Sequence, residues 1–337
     1  MTMVRSSLAV LLASLCAVWS IACTGDIEGD DGTSAGAGAS GASGTPGNGS
    51  SSAAGVGGSG AAGSTGATGA GAGASGGSGG QPPADPCADA LFCEKFEDYA
   101  GVTSIGDDQE FGPWRAALAT PGAEMELDGA HTTSGAQALH VRIDGGVEAG
   151  GRLFAGGDLP VLAGSPTHLY GSMMMYIDPN GTSVHWTFFG VNGDAEPSSP
   201  VTGRNAGYIM SSLPREGVNT YSFVYGLQAE GSDPYHDCWF QSETPMPTAG
   251  WQCVQFEMDS VARKLRMRTG DSPTDIAEVD DHGQGCVGDV PGDSAWYGPA
   301  ISQMFVGAWS FHPMNGPLEV WIDDLVLDTK PVSCPAP

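Results

Sequence analysis

Positive charge is what this chain has least of: 12 Lys plus Arg stand against 39 Asp plus Glu in 337 residues, a formal net charge of −27. Nucleic-acid binding needs clustered cations to displace counterions from phosphates, so that class of partner is excluded. Solubility through like charge, or capture of cations, is the expected consequence of so acidic a chain. Beyond the N-terminus there is no second long apolar run, and no segment keeps a 3.6-residue period long enough to read as a helix. The H-E-x-x-H and phosphate-loop signatures are absent. So is C-x-x-C, and only Cys238 follows a histidine closely (His236), so zinc is the weaker reading of the cysteines beside disulfides.

Between Asp31 and Asp85 there is no charged residue of either sign, and the segment is almost entirely Gly, Ala, Ser and Thr. It holds too few large apolar side chains to offset the entropy of ordering, so residues 23–86 are expected to be a disordered linker spanning roughly 40 Å. It is preceded by a short basic stretch, Met1 to Arg5, a largely apolar Ser6 to Trp19, and "SIAC" at Ser20 to Cys23. That order is a secretory signal, residues 1–22. Ser20 and Ala22 satisfy ordinary small-x-small cleavage; the cysteine at the new N-terminus also fits a lipobox, with Ser20 in place of the usual Leu. The lipoprotein reading, with Cys23 lipidated and the linker as its tether, is preferred. Thr24 carries no Asp-type retention signal, which favours the outer membrane or cell surface.

Removing Cys16 and Cys23 leaves Cys87, Cys93, Cys238, Cys253, Cys286 and Cys334, an even set suited to an oxidising compartment and three disulfides whose pairing stays open. Residues 87–337 read as a run of short segments rich in β-branched and aromatic residues, separated by Gly, Pro, Asn and Asp clusters. Many strands without crossover helices predict an all-β, two-sheet antiparallel sandwich in one domain. Trp251 to Asp271 is the clearest hairpin, and its second limb places Lys264, Arg266 and Arg268 on one face, either a solvated surface or a polyanion contact. Glu94 and Glu97 fall on opposite faces, against the paired carboxylates of a glycosidase. "LEVWIDDLVLD" (Leu318 to Asp328) alternates like a strand yet carries Asp323 and Asp324 side by side, so one carboxylate is expected to face the apolar side and to need compensation.

"LFCEKFED", "SGAQALHVRI", "LYGSMMMYI", "VHWTFFG", "HDCWFQ", "GWQCVQFEMD", "GQGC" and "VWIDDLVLDTKPVSCP" occur in that order from about Cys87 to Pro335. Together they resemble the core domain of the fungal cellulose-induced protein and its bacterial secreted relatives. The resemblance implies a concanavalin A-like jelly roll, similar to glucuronan and alginate lyases, with a sheet able to hold a polysaccharide chain. It also implies a structural Ca²⁺ between the first and last strands, held by Glu97, the Ser134 region, and Asp323 or Asp324. Independently, Ca²⁺ takes several hard oxygen ligands and would neutralise a buried Asp; the alternative is one exposed Asp and one accepting backbone N–H groups.

"SVHWTFFG" puts His185 in a strand, on one face with Thr187 and Phe189, where its near-neutral pKa suits a general base. By likeness to the lyases, His185 is the base or charge stabiliser of a β-elimination. Tyr208 is placed as acid, and Arg204 or Gln241 as the carboxylate clamp, from order along the chain. Arg142, Arg152 and Arg204 would have to gather for a polyuronate to overcome the net charge. A neutral glycan needs only aromatic platforms, drawn from Trp186, Tyr208, Tyr225, Trp239, Trp296 and Trp309, with Trp186, Tyr225 and Trp239 preferred. The expected function is that of a monomeric, anchored carbohydrate-binding domain recognising polysaccharide; the alternative is a polysaccharide lyase.

Overall fold

The computed structural model describes residues 85, 87–146, 148–228, 236–270, 272–287 and 295–335. The expected signal, the expected lipidation at Cys23 and nearly all of the expected 23–86 linker fall outside the described residues. The first strands in chain order are β1 (Phe92–Glu94), β2 (Glu110–Phe111), β3 (Trp114–Leu118), β4 (Ala123–Asp128), β5 (Ala138–Ile143) and β6 (Ala149–Gly156). There follow β7 (His168–Ile177), β8 (Trp186–Asp194), β9 (Asn205–Arg215), β10 (Val218–Leu227), β11 (His236–Pro245) and β12 (Gln252–Asp259). The last are β13 (Lys264–Thr269), β14 (Ala277–Asp280), β15 (Gly285–Val287), β16 (Gln303–Ser310) and β17 (Leu318–Asp328). Among the described residues the only helical element is the 3₁₀ turn Pro160–Leu162, and no helix is long and apolar enough to cross a membrane.

The strands form two antiparallel sheets, as the sequence predicts. One is eight-stranded, in the order β14-β13-β12-β7-β17-β5-β4 with β1 on β17; the other is nine-stranded, in the order β15-β11-β10-β9-β8-β16-β6-β3-β2. Between them lies a single large core in which Met173, Met175, Ile322, Leu325 and Leu327 meet Phe188, Phe189, Tyr208, Phe223 and Val306. Alternation explains most of this: one set of each strand enters the core and the other faces away. β3, "WRAAL", escapes a sequence reading because it contains neither alternation nor β-branched residues.

The three disulfides pair Cys87 with Cys93, Cys238 with Cys286, and Cys253 with Cys334. All six domain cysteines are thereby used, which leaves none for zinc. Cys253–Cys334 fastens the segment after β17 onto β12 across a sequence separation of 81. Lys264, Arg266 and Arg268 do share one face of β13, but they are held internally. Lys264 and Arg266 pair with Glu278, Arg266 also lies near Glu257, and Arg268 pairs with Asp275. The stripe is a network of surface ion pairs. Replacing Cys253 and Cys334 by Ser should lower the unfolding free energy by about 4.5 kcal/mol, the chain-entropy value for a loop of this size. Urea unfolding under oxidising conditions measures it.

Candidate functional site

The outward face of an antiparallel sheet is normally polar. That of the nine-stranded sheet is not. Reading cross-strand partners in turn, Phe154 of β6 lies opposite Phe305 of β16, then Gly190 of β8, Ile209 of β9, Val224 of β10 and Trp239 of β11. Ile209, Val224 and Phe305, with Phe154 against them, form an apolar cluster separate from the inter-sheet core. Gly190 is needed in the row because a Cβ there would strike the Phe305 ring and press on Ile209. A second row runs alongside: Trp309, Thr187, Ser211, Ser222 and Gln241. Ser211 and Ser222 share a hydrogen bond of 2.6 Å, and the Gln241 amide donates to Thr220 Oγ1 and to the carbonyls of Leu213 and Pro214. Phe154, Trp309, Trp239 and Gln241 are half-buried. Across six strands the pair of rows is about 24 Å long, at ~4.8 Å per strand.

Arg152 sits at one end of these rows. Its Nη2 donates to Thr187 Oγ1 at 2.6 Å, and its guanidinium lies 4.3 Å from the Phe305 ring centre, 5.2 Å from Trp309 and 5.3 Å from Phe311. A guanidinium framed by aromatic faces is held flat and partly desolvated. His185 is next to it, 5.5 Å from Phe311 and 5.6 Å from His312 ring to ring. Its Nε2 is sealed from solvent without a hydrogen-bond partner. Burial, and then the neighbouring His312 and Arg152, lower its pKa to about 4, so the imidazole is neutral at physiological pH.

The sequence-predicted residues divide sharply. His185 precedes β8, and Thr187 faces outward, but Phe189 does not join them. A bulge between Thr187 and Phe189 resets the alternation and turns Phe189 into the core against Phe256. Tyr208 is 0% exposed between the sheets, its hydroxyl donating to the Trp296 carbonyl, so it is a core residue and not the expected acid. Trp186 and Tyr225 are likewise core side chains, with Tyr225 stacked on Trp296; of the three preferred platforms only Trp239 lies on the outward face. Arg204 is remote from His185: Trp186 pairs with Ser212 and Asp194 with Asn205, which places them at opposite ends of β8 and β9. Arg142, on the other sheet, pairs with Glu124 and Asp144. Arg152 alone of the three arginines reaches His185.

The other cluster lies where the first and last strands meet. Along β17, Ile322 and Leu325 both enter the core although three residues apart, because the register against β7 slips by one between Asp323 and Val326 and Asp324 takes φ 46°. The extra residue turns both carboxylates to the same, outward side, which corrects the expectation that one faces the apolar set. They are buried all the same, at 0% and 3% exposure. The loop before β5 covers them. Thr133 N and Oγ1 approach Asp323 Oδ2 at 2.9 and 2.8 Å, Thr133 Oγ1 is also 2.8 Å from Asp324 Oδ2, and Ser134 Oγ donates to Asp324 Oδ1 at 2.5 Å. Directly after them, Ala136 N and Gln137 N donate to Glu97 Oε1, and Gln137 donates to the Phe96 carbonyl. Gly135, at φ +73°, permits this closeness because a Cβ would collide with the Glu97 carboxyl. One hydroxyl proton cannot serve two carboxylates, and burial, with the Asp324 charge adding to it, raises the Asp323 pKa. Two buried carboxylates with two hydroxyls against them suit a hard divalent cation. The 133–137 loop therefore contacts Asp323 and Asp324 through Thr133 and Ser134 and contacts Glu97 through Ala136 and Gln137.

No family model matches the chain, and no curated protein does. Solved structures similar to it include a cellulose-induced protein, Cip1, at 14% identity and TM-score 0.45, covering 72% of this chain and all of that one. An endo-β-1,4-glucuronan lyase from Trichoderma reesei is similar at 9% identity and TM-score 0.45, covering 68% of this chain and 96% of its own. Alginate lyase vAL-1 from Chlorella virus is similar at 10% identity and TM-score 0.41, over 64% and 93% respectively.

A depressed histidine pKa sets a sign. The unfolded chain binds a proton near 6.5 that the folded one resists until about 4, so the stabilisation is present above 6.5 and lost as pH falls through that window. Stability of the folded domain should therefore decline between those values by at most ~3 kcal/mol on this account, and His185→Gln should flatten that part of a chemical-unfolding pH profile.

Proposed function

We propose that the domain binds extracellular polysaccharide along the outward face of its nine-stranded sheet. The observation that carries this reading is the pairing of the apolar row Phe154-Phe305-Gly190-Ile209-Val224-Trp239 with the polar row Trp309-Thr187-Ser211-Ser222-Gln241. A sugar chain is amphipathic in the same way, with ring faces that stack on aromatic surface and edge hydroxyls that take polar partners. Thr187, Ser211 and Ser222 are 0–1% exposed and bonded within the sheet, so the groups open to a ligand are the half-buried Phe154, Trp239, Trp309 and Gln241. Trp239 and Trp309 are half-buried, so each keeps a ring edge or face for a ligand. Arg152, framed by aromatic rings, and the half-exposed Arg115, which lies opposite Phe154 on β3, supply cations on this face, which suits a glycan bearing carboxylates. Secretion with lipidation at Cys23 would place this monomeric domain at the cell surface on its linker.

A second reading, cleavage of a uronate-containing glycan by β-elimination, is favoured by one observation: a neutral His185 next to Arg152. The arginine would hold the uronate carboxylate, and the imidazole would have to accept the C5 proton at Nδ1, since Nε2 is sealed from solvent. With Tyr208 in the core, no described residue yet fills the acid's place. Glucuronan and alginate are the polymers to test. Binding should be seen by affinity electrophoresis or calorimetry. Trp239→Ala or Trp309→Ala should weaken it about tenfold, the worth of one aromatic contact. No binding to any glycan by the folded protein contradicts the proposal. A rise in ultraviolet absorbance from unsaturated product, lost in His185→Ala, would replace binding by cleavage.

For the carboxylate cluster we propose Ca²⁺ held by Glu97, Asp323, Asp324 and oxygens of the Ser134 loop. Saturation at a hundredfold excess over Kd is worth about 2.7 kcal/mol, which for a domain of this size shifts Tm by roughly 5–10 °C. Melting in Ca²⁺ against EDTA should show that shift, and Asp323→Asn should abolish it.

A further inference from the structure

The outward face of the eight-stranded sheet carries a third cluster, with different chemistry. Glu126 of β4, His140 of β5, Trp321 of β17 and Tyr176 of β7 are cross-strand partners in one row. Asp128, two residues after Glu126 on the edge strand β4, points to the same side. His140 Nδ1 lies 3.0 Å from Glu126 Oε1 and 2.8 Å from Asp128 Oδ2, while Nε2 is 3.5 Å from Glu319 Oε2. His140 is only 7% exposed, and its Nε2 makes no aligned hydrogen bond. The ring is therefore buried among three carboxylates. Arg142 offsets part of that charge, with Nε 3.8 Å from Glu319.

We propose that Glu126, Asp128 and His140 form a site for a divalent transition cation of the Zn²⁺ type, separate from the Asp323 cluster. The donor set decides the class: an imidazole nitrogen with two carboxylate oxygens suits Zn²⁺, Co²⁺ or Ni²⁺, whereas Ca²⁺ prefers oxygen alone. The spacing agrees. A single Nδ1 proton cannot point along both short contacts, but a tetrahedral cation bound at about 2.0–2.2 Å separates its ligand atoms by roughly 3.3 Å, a few tenths of an ångström beyond the present distances. The surroundings are those of a metal ligand set. The Trp321 ring stacks on His140 at 4.0 Å and 9°, and its Nε1 donates to Asp128 Oδ1 at 3.0 Å, as does Ala130 N. That leaves Asp128 Oδ2 for the cation. Glu319 on the far side favours a proton on Nε2, which frees the Nδ1 lone pair. Glu126 is half-exposed, so ions can enter from solvent and water can complete the coordination. Occupied, the site clasps edge strand β4 to β5.

The test uses the full, tag-free chain, stripped with chelator and then held in excess Ca²⁺. Calorimetric titration with Zn²⁺ should show one site per chain. Co²⁺ should give a visible absorption band and quench Trp321. His140→Gln and Asp128→Asn should weaken Zn²⁺ binding at least ~10-fold, and Trp321→Phe, which keeps every ligand but removes the orienting hydrogen bond and part of the ring stacked on His140, by about tenfold or more while changing the Co²⁺ band. Glu243→Gln, remote on β11, should bind as the parent does. Absence of Zn²⁺ and Co²⁺ binding, or equal affinity in parent, His140→Gln and Asp128→Asn, overturns the proposal and leaves an ion-paired histidine; Trp321→Phe, which keeps every ligand, decides the matter should a ligand variant fail to fold.

Discussion

Two carboxylates that cannot leave the protein interior hold this sandwich at its seam. Asp323 and Asp324 sit in the middle of the last strand, and β17 is central to its sheet, paired with β7, β5 and β1. Burying one unpaired carboxylate is costly and burying two side by side is more so. The chain meets the cost with geometry before any ion is considered. A bulge turns both carboxylates outward, and the 133–137 loop folds down with backbone amides and two hydroxyls onto Asp323 and Asp324. The same loop then caps Glu97 just beyond β1. The first strand, an early loop and the last strand are thus made interdependent by negative charge.

With the seam fixed, the two sheets are free to present different outward faces. On the nine-stranded sheet that face is apolar and hydroxyl-rich, with one aromatic-framed arginine. On the eight-stranded sheet it is ionic: the β13 cations matched by Glu278, Glu257 and Asp275, and the His140 cluster near the β4 edge. The net charge of −27 is therefore unevenly expressed. The outward face of the nine-stranded sheet holds Arg152 among aromatic rings, while the opposite face gathers acids around a histidine.

The fold was legible because alternation and turn chemistry are local properties. Segments such as "KLRMRT" and "AEMELD" show which residues share a face, and the observed Lys264-Arg266-Arg268 stripe agrees. Parity failed at the bulges. Nothing local shows that Asp324 adopts a left-handed backbone, or that Phe188 and Phe189 both turn inward directly after Thr187. Site residues were harder, since they depend on partners. Trp186 and Tyr225 are aromatic in sequence and core in space, because sequence does not say which face of β8 or β10 meets the other sheet. Phe154 and Arg152, two apart in "GRLFA", were readable as sharing a face, but their meeting with Phe305, Thr187 and His185 is set by the β6-β16-β8 order. Likewise Glu126 and Asp128 visibly share a face, and only the β4-β5 register brings His140 between them.

The most direct test of the seam is calcium stoichiometry, measured by equilibrium dialysis of the oxidised, tag-free domain and its Asp323→Asn, Asp324→Asn double variant. The account requires one tightly held Ca²⁺ per parent chain and none in the variant. A parent that folds with its seam intact and binds no Ca²⁺ would contradict it.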